Sequence, residues 1–362
     1  MLANGLTSSL QHVTAFNQGP TAAQMYIYVP TTKKANAPII LAIHYCSGTG
    51  PGYFSATQYA NLADTYGFIV VYPSSPSSGG CWDVSSTASL THNGGGDSQT
   101  IVNMANYAAA NYGGNANQIY ATGSSSGAMM TNVLAGAYPD VIKAGSAYSG
   151  VADGCFYVPG ATAGMPTPAW NSQCANGQLI QTGAQWAAQV RSYYPGYTGS
   201  YPKMLLWHGT IDTTLYYPNL GEELKEWSTV LNAPFNHNVT NTPQSGYTQM
   251  VYGDGTQLIG YSAVNVGHTV PVHETIDLAW FGITGGSSST TTTTAGTTLS
   301  TTVRPTTTTS AATTTTSTPS GSGNIPSWGQ CGGMGWTGSG TCTAGNTCVH
   351  YSDWYWQCIP PS

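Results

Sequence analysis

Charge is what this chain has least of. Only 6% of its 362 residues are Asp, Glu, Lys or Arg, against roughly 25% in an ordinary soluble protein. Seven basic residues scattered along that length build no basic patch, which argues against nucleic acid and membrane surfaces as partners. Long apolar runs are also missing, and none approaches the ~20 residues of a membrane span. No pair of cysteines has C-x-x-C spacing, so zinc is a weak explanation for those that lie close together. Nor does His273-Glu274 open an H-E-x-x-H site, because the second histidine's position is Asp277. Neither a metal nor a cofactor is expected. The opening Met1-Leu-Ala-Asn-Gly-Leu-Thr has no basic region and no long apolar stretch. It reads as the start of a mature secreted chain with an added Met.

What is present points elsewhere. Forty per cent hydrophobic content with 24 Tyr and 10 Trp implies a real core and an aromatic-rich surface. An uncharged surface rich in hydroxyls and aromatic rings suits neutral partners such as carbohydrates. The eight cysteines fall into two sets, Cys46, Cys81, Cys155 and Cys174, then Cys331, Cys342, Cys348 and Cys358. Even sets of four predict disulfides and an oxidising, extracellular compartment.

Three materials follow one another along the chain. Residues 1–284 alternate strands and helices. Strands are expected at 25–29, 38–43, 68–72, 144–149, 203–207 and 257–266, and helices at 97–112, 177–193, 220–231 and 275–281. That alternation predicts an α/β fold with a mainly parallel sheet covered on both faces. Residues 285–323 are dominated by Thr and Ser and have almost nothing to bury. They read as a linker of the O-glycosylated type, able to reach on the order of 100 Å when extended. Residues 324–362 are too few to fold on a core alone and need disulfide staples. They hold Trp328, Trp336, Trp354, Tyr355 and Trp356, more aromatic surface than so small a core hides. Flat rings stack on the apolar faces of sugars, so a carbohydrate-binding strip is expected there.

The chemistry centres on Gly123-Ser-Ser-Ser-Gly127, between a short strand and the apolar helix that starts near Ala128. This is the G-x-S-x-G nucleophile elbow. A reversal that sharp lifts Ser125 Oγ to the top of the sheet and sets the Ser126 amide at a helix N-terminus, where it can stabilise an oxyanion. An elbow serine needs a base and an orienting acid, which follow it in chain order in hydrolases of this topology. His268 lies in a loop between the last strand and the last helix, where the base belongs; His273 is its rival. His44 and His208 each end a strand, a setting in which histidines more often satisfy backbone groups. Asp212 follows a buried strand and a turn, whereas Asp254 sits in a plain turn and Asp277 in a helix, so Asp212 is the expected acid. The small-residue loop after residue 43 offers the Cys46 amide as the second oxyanion donor.

Two resemblances sharpen this reading. Trp328-Gly-Gln-Cys-Gly-Gly-Met-Gly-Trp336 and Trp354-Tyr-Trp-Gln-Cys358 resemble the fungal cellulose-binding module of family one. The resemblance implies bridges Cys331–Cys348 and Cys342–Cys358 and a flat cellulose-binding face of Trp328, Trp354 and Tyr355, with Gln357 hydrogen-bonding alongside. Ser352 stands where that family often has Asn. In the first region, His44-Tyr-Cys-Ser-Gly-Thr-Gly-Pro-Gly-Tyr53, Gly80-Cys-Trp-Asp-Val-Ser-Ser86, Leu90-Thr-His-Asn-Gly-Gly-Gly96, His208-Gly-Thr-Ile-Asp212 and Gly267-His-Thr-Val-Pro271 join the elbow. Together they are similar to fungal acetyl xylan esterases of carbohydrate esterase family one. That resemblance implies an α/β-hydrolase fold and deacetylation of acetylated xylan through an acyl-enzyme. It places Tyr45 and Trp170 at the substrate pocket, with Trp170 restricting the acyl group, and implies bridges Cys46–Cys81 and Cys155–Cys174. A secreted monomer that works on xylan while held on a cellulose surface is the expectation. Feruloyl esterases share the elbow and triad and are the alternative. Extracellular polyester depolymerases share the layout, but the cellulose-binding tail argues against them. A wall-binding protein with an inert hydrolase domain is the non-enzymatic alternative.

Overall fold

The computed structural model describes residues 6–163, 168–285, 324–325, 330–332, 340–352 and 355–359. The contacts divide the chain into two compact units, Met1–Thr284 and Gly285–Ser362. Among the described residues no helix is long and apolar enough to cross a membrane.

The first unit is built on one ten-stranded sheet of β1 (Gln11–His12), β2 (Gln24–Tyr28), β3 (Ala37–Ile43), β4 (Ile69–Ser74), β5 (Gly114–Ser124), β6 (Ile142–Tyr148), β7 (Lys203–Gly209), β8 (Phe235–Thr240), β9 (Tyr247–Tyr252) and β10 (Leu258–Ala263). Their order is β1-β2-β4-β3-β5-β6-β7-β10-β9-β8. From β4 to β10 every pairing is parallel. The outer pairings on both sides are antiparallel. Ile39–Ile43 of β3 and Ile69–Tyr72 of β4 are continuous, fully buried apolar runs, as burial on both faces demands. Alternation along β3 shows both cores: Ile39, Leu41 and Ile43 pack on one side and Ile40 and Ala42 on the other.

Helices cover both faces. In chain order they are α1 (Gly50–Ala56), α2 (Tyr59–Tyr66), α3 (Thr87–Leu90), α4 (Asp97–Tyr112), α5 (Ser126–Ala137), α6 (Ser172–Ala175), α7 (Gly183–Ser192), α8 (Pro218–Val230) and α9 (Glu274–Phe281). Ile101, Met104, Met130 and Val133 of α4 and α5 fill the first core; Tyr53, Tyr59, Leu278 and Phe281 of α1, α2 and α9 fill the second. The helix expected over 177–193 starts later, at Gly183. Gly177 takes φ +64 just after α6, and Thr182 then opens α7 with a capping box to Gln185. The hairpin of β8 and β9 went unread because β8 is an exposed edge strand whose polar residues carry little periodic signal.

In the second unit, β11 (Asn324–Ile325) pairs in parallel with β13 (Thr341–Cys342). The strand β15 (Tyr355–Ile359) lies between β12 (Gln330–Gly332) and β14 (Thr347–Ser352), antiparallel to both. Disulfides Cys331–Cys348 and Cys342–Cys358 staple these short strands, and Cys358 is buried.

Candidate active site

Strand β5 ends at Ser124 and α5 begins at Ser126, so Ser125 alone makes the reversal. It sits at φ 54, ψ −118, a conformation that costs a residue with a side chain ~1–3 kcal/mol. Its amide donates to the Tyr148 carbonyl at 2.8 Å, and its own carbonyl accepts the first helical bond, from Met129. The flanking glycines have a direct steric reason. A Cβ on Gly123 would lie 2.5 Å from the Gly127 carbonyl, and one on Gly127 would lie 2.1 Å from the Ile43 oxygen.

His268 arrives from the loop after β10 and places Nε2 2.7 Å from Ser125 Oγ. Its Nδ1 lies 2.7 Å from Asp212 Oδ2. The other Asp212 oxygen accepts from the Thr214 and Leu215 amides at 2.8 and 3.0 Å. Burial alone pushes the Asp212 carboxyl up, but hydrogen bonds from His208 and His268 outweigh it and hold the group well below the usual carboxylate range. The acid is thus ionised and clamped. An ionised orienting acid holds the imidazole with Nδ1 as donor, which leaves Nε2 as acceptor for the serine proton.

The two residues expected to donate to an oxyanion come from two different loops. The Cys46 and Ser126 residues both line the cavity above Ser125. Among the described residues neither backbone amide donates to a protein acceptor, as expected for Ser126 in the first turn of a helix. The Cys46 loop is fastened on several sides: by the Cys46–Cys81 disulfide, by Ser47 N–H to the Gly79 carbonyl, and by His44. That histidine donates from Nδ1 to the Tyr45 carbonyl and accepts the Ser75 amide at Nε2. The next loop is tied to the elbow, since the Trp82 amide donates to Ser126 Oγ at 2.8 Å and its indole N–H to the His44 carbonyl. The Cys155–Cys174 disulfide anchors the segment leading to Trp170.

Above the serine opens a cleft of about 750 Å3, lined mostly by apolar groups that include Trp82, Val84, Met129, Phe156 and Leu215. Tyr45 and Trp170 both stand on its rim, 42% and 56% exposed. Trp170 meets the Phe156 ring edge-on, 4.9 Å between centroids. The remaining candidates fall outside the cleft. His273, half-buried, stacks on Trp207 at 4.7 Å. Met129, Phe156 and Leu215 carry no motif, and only folding brings them together. His208 was read as a backbone partner, and its Nε2 does lie 2.7 Å from the Leu215 carbonyl. The same nitrogen is also 3.2 Å from Asp212 Oδ2. The i, i+4 spacing of His208 and Asp212 was the available signal.

For the expected cellulose face, Trp328 and Trp354 lie outside the described residues. Tyr355 and Gln357 occupy positions two apart on β15, and their side chains too lie outside the description.

Comparison with known proteins shows which families the chain resembles. The family described as Esterase PHB depolymerase matches residues 23–226, and the fungal cellulose binding domain matches residues 327–355. The chain is 49% identical to a protein of Aspergillus fumigatus named probable acetylxylan esterase A, over 99% of this chain and 94% of that one. It is equally 49% identical to one of Talaromyces funiculosus named feruloyl esterase B, over 98% and 96%. A solved structure of an acetyl xylan esterase from Aspergillus awamori superposes with a TM-score of 0.73 at 49% identity, covering 76% of this chain and all of that one.

Proposed function

The chain belongs to the esterase family described as PHB depolymerase and carries a fungal cellulose-binding domain, and from that premise we propose that it removes O-acetyl groups from acetylated xylan. Ser125 Oγ attacks the ester carbonyl while His268 Nε2 takes its proton. The resulting oxyanion sits between the Cys46 and Ser126 amides, and Asp212 stabilises the imidazolium. Collapse expels the sugar oxygen, which takes the proton from His268 as it leaves and so becomes a free hydroxyl. Water then repeats the sequence on the acetyl-Ser125 ester and releases acetate. The cellulose-binding unit holds the enzyme on the plant cell wall through Trp328, Trp354, Tyr355 and Gln357, and the protein acts outside the cell.

The observation that carries this reading is the unbroken Ser125–His268–Asp212 chain, with both contacts at 2.7 Å and with Ser125 and His268 lining the cleft. The names of the acetylxylan esterase relatives support the acyl group chosen. A feruloyl ester is the second reading, favoured by the size and apolar lining of the cleft and by the feruloyl esterase relative. The test is to measure acetate from acetylated xylan and ferulate from methyl ferulate side by side, with the parent enzyme and Ser125→Ala. Acetate release that falls by about 10^4–10^6 in the variant is expected. Ferulate release at matching efficiency moves the assignment to the second reading. No product from either substrate, in a folded protein that still binds cellulose, overturns the enzyme.

A further inference from the structure

Behind the triad acid lies a second polar chain that the reaction as drawn does not use. His208, at the end of β7, is wholly buried. Its Nε2 lies 2.7 Å from the Leu215 carbonyl, which can only accept, so the hydrogen is on Nε2. The same N–H is 3.2 Å from Asp212 Oδ2. On the far side of the ring, Nδ1 has no hydrogen-bond partner among the described residues and faces Glu223 Oε2 at 4.0 Å, which has none among them either. Glu223 is fixed through its other oxygen, which accepts from Asn132 Nδ2 at 2.7 Å. The Asn132 amide is itself oriented by the Val151 carbonyl and the Trp227 indole N–H. The carboxylate reaches this place past Gly150, where a Cβ would lie 2.8 Å from Oε1.

Two facing lone pairs in a dry interior repel each other, and one proton between them removes the repulsion. We propose that His208 and Glu223 are a buried positioning pair that holds one proton between Nδ1 and Oε2, keeping the His208 Nε2–H aimed at Leu215 and Asp212 and so fixing the carboxylate that orients His268. The proposal rests on Ser125, His268 and Asp212 as the reacting set. Of these three, His208 touches only Asp212 and acts through it.

The surroundings determine when that proton is lost. His208 faces Asp212 from the loop after β7, Glu223 from α8, and the edge of the Tyr217 ring at 6.1 Å, whose hydroxyl donates to Ser262. Beyond Glu223 stand Glu226, bonded by the Asp153 amide, and Glu222, paired with Lys225 at 2.6 Å. Burial pushes the Glu223 carboxyl up to about 7, with His208 and Asn132 opposing it. Burial pulls the His208 imidazole down, but the hydrogen bond and charge of Asp212, with Glu223 and the Leu215 carbonyl, leave it raised. As pH rises past neutrality the pair gives up its proton, the ring loses one of its two holds, and kcat falls.

The test uses the full chain, 4-nitrophenyl acetate as substrate and a fluorophosphonate as a label for Ser125. His208→Phe keeps a buried ring without its nitrogens. It is expected to lower kcat and the labelling rate about 10- to 100-fold with KM changed less than threefold, and His208→Gln to recover part of the loss. Glu223→Gln keeps an acceptor for Asn132 and presents an amide donor to Nδ1 at every pH. The parent enzyme is expected to show a decline of kcat above pH 7, and this variant is expected to abolish it. Parent-like kcat and pH profile in a folded His208→Phe overturns the proposal. If that variant does not fold, Glu223→Gln decides alone, and a retained decline overturns it. Ser125→Ala, run beside them, keeps the two readings apart: activity surviving there defeats the proposed function instead.

Discussion

Two aspartates, each shielded from water and each surrounded by donors, end in opposite states. Asp212, at the C-terminal edge of the sheet, accepts from two backbone amides and from His268 and His208. Asp277, in α9, accepts from Tyr59 at 2.5 Å, Ser146 at 2.7 Å and Tyr148 at 2.9 Å. Burial raises both, yet Asp212 finishes below the ordinary carboxylate range while Asp277 is pushed up to about 7. The number of donors does not explain this. Imidazoles can carry positive charge as well as donate, so the hydrogen bonds and charge of His208 and His268 outweigh desolvation at Asp212. The hydroxyls around Asp277 are neutral, and its nearest charged influence is the negative Glu274. An acid that must stay ionised to orient a base needs the first environment. An acid that ties α9 to the sheet works in the second.

The largest effect expected from this contrast is on turnover. Asp212→Asn keeps the shape but presents an amide where His268 needs an acceptor, which stabilises the wrong imidazole tautomer. Its kcat on 4-nitrophenyl acetate should fall by about 10^4. Asp277→Asn touches none of the reacting groups and should keep kcat within about threefold. A comparable loss in both variants breaks the contrast.

A smaller effect is expected on stability, with a definite sign. The folded pKa of Asp277 is raised above its unfolded value, so its contribution is fully present below about pH 4 and is lost as pH rises through about 7. Within that window the loss approaches ~1.4 kcal/mol per pH unit. Asp97, raised by burial to about 6, adds a slope of the same sign. Asp212 has the opposite sign, but its contribution is lost only as pH falls below the ordinary carboxylate range. The first unit should therefore unfold in less urea at pH 8 than at pH 5. Asp277→Asn, neutral throughout, should flatten that dependence and be the more stable of the two at pH 8. An unchanged slope removes Asp277 as its source.

How much of this was legible in the sequence follows from how local each signal is. The elbow is local: Gly123 and Gly127 are dictated by atoms within a few residues and by one neighbouring strand, so a five-residue motif suffices. His268 and Asp212 are 56 residues apart, yet each follows a strand in the chain order this topology imposes, and position alone singled them out. Helix α4 was read to its ends because Asp97 opens it and Gly113, at φ +71, closes it. The exposed edge strand β8 was lost because nothing on it is consistently buried. Opposite shifts at Asp212 and Asp277 were illegible for a different reason. Charge state depends on partners from separate segments, and Tyr59, Ser146 and Tyr148 reach Asp277 across 129 to 218 residues of chain. The Glu223–His208 contact escaped for the same reason.

The finest test of the contrast lies in Glu274, the negative neighbour of Asp277. Its Oε1 accepts from the Gln58 amide at 2.8 Å, and it occupies the first position of α9, where a carboxylate favours the helix dipole. Glu274→Gln keeps an acceptor for Gln58 but removes the charge, with two opposed consequences. Losing the charge at the helix start costs about 0.5–1 kcal/mol at any pH where Glu274 is ionised. Removing a like charge also lowers the Asp277 pKa, which makes ionised Asp277 easier to hold above pH 7. At pH 6 Asp277 is still mostly protonated and only the first effect acts, so the variant should melt about 1–3 °C lower. At pH 8 the second effect offsets the first, and the deficit should shrink towards zero. A deficit that grows from pH 6 to pH 8 means that the charge of Glu274 does not reach Asp277. The raised pKa there would then belong to burial alone, and the contrast with Asp212 would reduce to what His208 and His268 supply.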